Sequence, residues 1–154
     1  KGKEDYRNLR RIAISLFLQV FLIEAVFAVG FILLKDILPT FYIENAEVIM
    51  LASQLLVVAA LFQLSDGLQV VILGALRGLQ DVRIPTVICF IAYWVVGFPV
   101  AWYFGKAENL GSQGIWLGLL AGLSTAALLL YIRFAILSKR LIVEKEQEIE
   151  AVSV

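Results

Sequence analysis

Residues 63–85 read QLSDGLQVVILGALRGLQDVRIP, and the fold turns on this stretch. It begins inside an apolar run and carries an ionisable group there, Asp66, with Gln63, Ser65 and Gln69 close by in sequence. It leaves the run through a short charged loop holding Arg77, Asp81 and Arg83, and Pro85 opens the next apolar run. In lipid, a carboxylate at that depth costs several kcal/mol unless it is paired, protonated or bound to a cation. Asp66 is therefore a functional candidate by default.

The surrounding chain supports a lipid setting. Of its 154 residues, 61% are hydrophobic and 17% charged, against roughly 45–50% and 25% in soluble globular domains. Residues 12–34, 48–76, 84–104 and 115–137 form apolar runs, and about 20 such residues cross a bilayer as a helix. None of the runs alternates as a barrel strand does, and a helix satisfies its own backbone hydrogen bonds inside lipid. The expected fold class is an all-α membrane protein with four transmembrane helices. The second run is longer than a perpendicular crossing needs, which predicts tilt or an extension beyond the lipid.

Basic residues set the orientation. Lys1, Lys3, Arg7, Arg10 and Arg11 precede the first run, Arg77 and Arg83 follow the second, and Arg133, Lys139 and Arg140 close the fourth. The opposite side holds only Lys35 and Lys106. Residues 1–11 are thus expected to be a cytoplasmic loop and 138–154 a cytoplasmic tail. That tail becomes acidic at EKEQEIEAVSV and is expected to be a frayed helix or disordered. The opening KGKEDYRNLRR lacks an initiator Met and any signal-peptide pattern, and reads as an internal loop of a longer membrane protein.

Several chemistries are excluded. The chain has no histidine, a single cysteine (Cys89) and a net charge of +0, which removes His-based relays, an internal disulfide and any overall pull toward nucleic acid. No phosphate-cradling loop or metal-spacing cluster is present, and GALRG is too short for a dinucleotide fingerprint. The expectation is a non-enzyme without a cofactor.

Asp66 leads the remaining candidates. Gln63, Asp66 and Gln69 step by three along one broad helical face, with Ser65 beside them. Their oxygens suit Na⁺, and a buried carboxylate can instead take and lose a proton near neutrality. The competing reading is an Asp held structurally by a neighbouring helix. Glu24 is a second intramembrane acid, either part of a polar pathway or a solvated group facing a vestibule. Tyr93 and Trp94 lie deep enough to line a cavity, whereas Trp102, Tyr103 and Trp116 suit an interfacial belt. Gly97 and Pro99 predict a kink or hinge. Gly74 with Gly78, and Gly114, Gly118 and Gly122, carry spacings that let helices approach closely.

Three ordered motifs, GALRGLQDVRIP, IAYWVVGFPVAW and GSQGIWLGLLAGL, closely resemble the C-terminal portion of the multidrug and toxic compound extrusion family. The resemblance runs over about residues 48–137, and the first helix fits by position and hydropathy. It implies a twelve-helix, two-lobe antiporter of which this chain is the last four helices, with the C-terminus cytoplasmic in a bacterial inner membrane. It implies efflux of cationic, often aromatic drugs coupled to Na⁺ or H⁺, with the remaining eight helices and membrane lipid as partners. It places Asp66 at a cation site whose acidic partner lies before Lys1. Alternatives stay open beside it: a lipid-linked oligosaccharide flippase of the same superfamily, a four-helix carrier like the small multidrug resistance proteins using Glu24, and a non-transporting membrane scaffold.

Overall fold

The computed structural model describes residues 5–107 and 110–152; Lys1 and Lys3 of the basic opening, and the last two residues of the tail, lie outside them. The regular structure among the described residues is entirely helical. Helix α1 spans Tyr6–Leu34, α2 Ala46–Gly78 and α3 Arg83–Ile91, and α4 (Phe98–Trp102) lies between two π-helical turns, Ala92–Gly97 and Tyr103–Ala107. Helix α5 spans Ser112–Val152. α3, α4 and the π turns together make one span, Arg83–Lys106. With α1, α2 and α5 it makes four helices long and apolar enough to cross a membrane, in agreement with the four runs of the sequence.

The helix ends follow local chemistry. Asp5 caps α1 by accepting from the Asn8 N–H at 3.1 Å. Asn45 caps α2, its Oδ1 accepting from Glu47 and Val48 N–H. Side chains at such positions replace the partners that the first helical N–H groups lack. Between them, a 3₁₀ turn, Leu38–Phe41, bridges the two spans. Ser53 of α2 donates to Asp36 of this connection at 2.6 Å, and Lys35 lies 3.1 Å from the same carboxylate. The Ser53 hydrogen bond, helped by Lys35, holds the Asp36 carboxyl below its usual range.

The far end of α2 closes differently. Gln80 N–H bonds Arg77 O and Asp81 N–H bonds Leu76 O, both at 2.9 Å. This is a Schellman closure, and Gln80 takes its left-handed position at φ 60°. The last carbonyls of α2 are thus satisfied by backbone, and Arg77 itself is exposed. The turn delivers Asp81 to Arg133 of α5, where Nε and Oδ2 are 2.8 Å apart.

The spans stand in a row, α1 beside α2, α2 beside α5, and α5 beside the third span, with α1 also touching α5. The tightest apolar cluster gathers Ala13 and Phe17 of α1, Ile72 and Leu76 of α2, and Leu130 and Phe134 of α5. Phe17 meets Phe134 edge to face with centroids 5.3 Å apart. Elsewhere the helices leave large apolar side chains exposed, including Leu22, Val26, Val70 and Phe90, as spans do when lipid or further helices cover them.

α5 corrects the expectation for the tail. Where fraying or disorder was expected, the helix runs unbroken through Val152. Arg140 pairs with Glu144 and Lys145 with Glu148 along it. It also folds back toward the chain's beginning, where Arg7 Nε donates to Glu146 at 2.8 Å. Ion pairs at helical spacing stabilise an otherwise polar helix.

The glycine pattern divides. Gly114, Gly118 and Gly122 of α5 lie against Gly105, Ala101 and Gly97 of the third span. A Cβ at Gly114 or Gly118 would come within 3.0 Å of the facing backbone. Gly74 and Gly78 differ: a Cβ on either meets nothing within 4 Å. They are exposed on the wall of a cleft of about 1460 Å³ between α1, α2 and Leu141 of α5. Packing by these two is not found among the described residues.

Candidate functional site

The polar residues of α2 point to three different neighbours. At 100° per residue, Gln63 and Gly67 share the side facing α1. Gln63 Nε2 donates to the backbone carbonyl of Glu24 at 3.0 Å. Gly67 leaves room for the Glu24 side chain itself: a Cβ there would stand 3.0 Å from both Glu24 Cγ and Oε1. Ser65 and Gln69 occupy the opposite side. Ser65 Oγ lies 2.9 Å from Ser124 Oγ of α5, and Gln69 Oε1 accepts from the Tyr93 hydroxyl of the third span at 3.2 Å. Gln69 Nε2 also approaches Cys89 Sγ at 3.8 Å.

Asp66 sits between these two sides, on a face of α2 that no described helix covers. It is exposed, and no described residue hydrogen-bonds to it or pairs with it. Glu24 is partly buried beside Gly67, one residue away from Asp66 along α2. The arrangement leaves two carboxylates on adjacent spans, with Gln63 lying between them in the sequence pattern and bonded to one helix. Chemically it offers carboxylate and amide oxygens to a hard cation, or a titrating acid to a proton. No group of three or more His, Cys, Asp or Glu that could hold a metal ion occurs among the described residues.

Tyr93 and Trp94, adjacent in sequence, part company in space. Tyr93 turns inward to Gln69. Trp94 turns out and joins a ladder with Phe90 and Phe98, its centroid 5.9 Å from each ring. A cavity role is compatible with Tyr93, whereas Trp94 faces away from α2.

Around Gly97 and Pro99, where the sequence predicts a kink or hinge, the backbone takes a widened turn. Pro99 has no N–H to return to Val95, and the Phe98 N–H reaches back five residues to Tyr93 O. The π turn Ala92–Gly97 therefore ends just before the proline. Gly97 contributes in a second way, its Cα facing that of Gly122 across the helix seam. The sequence by itself gives Gly97 only a kink or hinge role. The spacing of Gly97, Ala101 and Gly105 was the available signal for packing, since it mirrors the repeat on α5.

The sequence model of the MatE family matches residues 1–103. It therefore includes α1, which the motifs alone did not reach. Among curated proteins, a probable multidrug resistance protein NorM of Agrobacterium fabrum is 39% identical over 145 residues, covering 91% of this chain and 31% of that protein. Another of the same name, from Xylella fastidiosa, is 39% identical over 140 residues, covering 91% and 30%. The multidrug resistance protein NorM of Photobacterium profundum is 44% identical over 106 residues, covering 66% and 23%. The chain spans about a third of the length of the first of these relatives. With four membrane-length helices, the three motifs in order and a family match over most of its length, this chain belongs to the MatE family.

Proposed function

We propose that this chain is the C-terminal part of a multidrug exporter that expels cationic, often aromatic compounds by alternating access, driven by Na⁺ or H⁺. The names of its relatives, all multidrug resistance proteins, support the efflux reading. The carrying observation is Asp66: an unpaired carboxylate in the body of a membrane-length helix, on a face left open by every other element described. Such a group is expensive in lipid and inexpensive beside a cation or a water-filled path.

On this reading Asp66 is the cation-coupling residue. Gln63, Ser65 and Gln69 hold α2 in register around it, and Glu24 offers a second carboxylate across Gly67. The open face of α2 belongs against the remaining eight helices of the parent protein, which supply the further acid and the drug cavity. Both ends of the chain lie in the cytoplasm of a bacterial cell. The process moves substrates without altering a covalent bond, and no nucleic acid takes part.

The test uses the full-length protein in proteoliposomes loaded with ethidium, wild type against Asp66→Asn, under separate Na⁺ and H⁺ gradients. Efflux should follow one gradient and fall to the level of protein-free liposomes in the variant, with membrane expression near normal. Undiminished gradient-driven efflux by Asp66→Asn would return Asp66 to a structural role.

A further inference from the structure

The two π turns of the third span differ in position. One closes the span at Tyr103–Ala107, whereas the other interrupts it at Ala92–Gly97. Tyr93, near the start of the inner turn, stands where three helices meet. Its hydroxyl donates to Gln69 of α2 at 3.2 Å. Its ring lies against the backbone of α5, since a Cβ on Gly122 would stand 3.2 Å from Tyr93 Cδ1. Its carbonyl accepts the Phe98 N–H that sets the width of the turn. Gln69 is 8% exposed and follows Asp66 by three positions, so the two are neighbours on α2.

A π turn holds about one residue more than an α turn, and closing it rotates one half of the span against the other by about 100°. Such a change must either draw Tyr93 off Gln69 or draw Gly97 off α5, where a Cβ would lie 3.2 Å from Gly118 O and 3.3 Å from Gly122 Cα. Gln69 thus pins one side of the turn and the glycine seam the other. The other polar residues around Asp66 do not reach a comparable element. Gln63 leads to α1 and Ser65 to α5, both regular helices at those points.

We propose that Gln69 and Tyr93 are positioning residues for the cation-driven step, carrying the occupancy of Asp66 to the π turn of the third span. This rests on the reading of Asp66 as the coupling residue. A cation arriving at the carboxylate draws the Gln69 amide oxygen toward it and away from Tyr93. The π turn then loses its anchor on α2, and the half of the span above it turns along the seam. Titratable groups surrounding Asp66 on the packed elements are Glu24 on α1 and Tyr93 on the third span.

The test labels the full-length transporter, on a background without other cysteines, with nitroxides at Val70 and Val95, which are 60% and 65% exposed. The distance between them is read by pulsed electron resonance with and without the driving cation, alongside ethidium efflux. In wild type the distance distribution should shift on cation addition. In Tyr93→Phe, in Gln69→Met and in the double variant that shift should disappear and cation-driven efflux should be lost, the double being no worse than either single. A shift that persists in both single variants overturns this inference alone, as do losses that add in the double. If both singles lose their monodisperse elution, the pair is structural and the inference is overturned. A wild type with no cation response in either readout sinks the coupling role of Asp66 itself.

Discussion

Asp36 shows how a single side chain ties a loop to a helix. Its carboxyl is held below the ordinary range by the Ser53 hydroxyl first and by Lys35 second. A carboxyl whose folded value is depressed adds stability that is fully present above its unfolded value and is lost as the pH falls through the folded one. Ser53→Ala should therefore lower the melting temperature of the detergent-solubilised protein at pH 7. The difference from wild type should shrink to nothing as the pH is lowered through the carboxylate range. A difference that stays constant with pH would assign the loss to packing of Ser53, which is 7% exposed. Asp66 belongs to the same scale, and its importance was legible because an acid in an apolar run demands an explanation. Its surroundings were less legible. Helical spacing put Gln63, Asp66 and Gln69 on one face, but only the packed neighbours reveal that the face divides between α1 and the third span.

Among the elements, the join between the third span and α5 is the most constrained. Gly97, Ala101 and Gly105 oppose Gly122, Gly118 and Gly114, so the two backbones touch along two turns. In lipid, where the apolar tails remove the hydrophobic drive, close backbone contact is a main source of helix association. Gly118→Ala places a methyl against the Ala101 backbone and should cost about 1–3 kcal/mol, the usual range for overpacking. Thermal unfolding in detergent reads that loss, and Gly74→Ala is the control, since a Cβ there meets nothing within 4 Å. An equal effect of the two would mean that the seam does not hold the third span to α5. The sequence showed one half of the seam through its glycine spacing and hid the other half, because Ala101 and the proline-linked turn obscured the matching repeat. The length of α5 was hidden for another reason. Hydropathy locates where lipid ends, and it says nothing of a helix that continues as a charged one held by Arg7, Glu144 and Glu148.

For the molecule as a whole, the ion pair of Asp81 with Arg133 binds the row of helices at one end. The side chains are 11% and 29% exposed, so the pair is largely desolvated. Removing one partner from such a pair costs more than removing both, because a lone buried charge remains. Arg133→Met should destabilise the detergent-solubilised protein by about 2–3 kcal/mol, below the cost of breaking a fully buried pair. Asp81→Leu combined with Arg133→Met should recover most of it, a non-additivity that a double-mutant cycle measures directly. Additive losses would make the two residues independent. The four-helix plan and its family were readable from hydropathy and three motifs, whereas the order of helices in the row was not. Lipid-facing and protein-facing positions carry the same apolar residues in such spans, so periodicity does not separate them.

The seam also bears on how the chain is made. The third span and α5 follow one another in synthesis, and their first contact, Gly105 with Gly114, is separated by little more than the connecting loop. Closing so short a loop costs little chain entropy, and each further turn of α5 that leaves the ribosome brings the next pair, Gly118 with Ala101 and then Gly122 with Gly97, into reach. The two helices can zip together from the loop outward while the rest of α5 is still being translated.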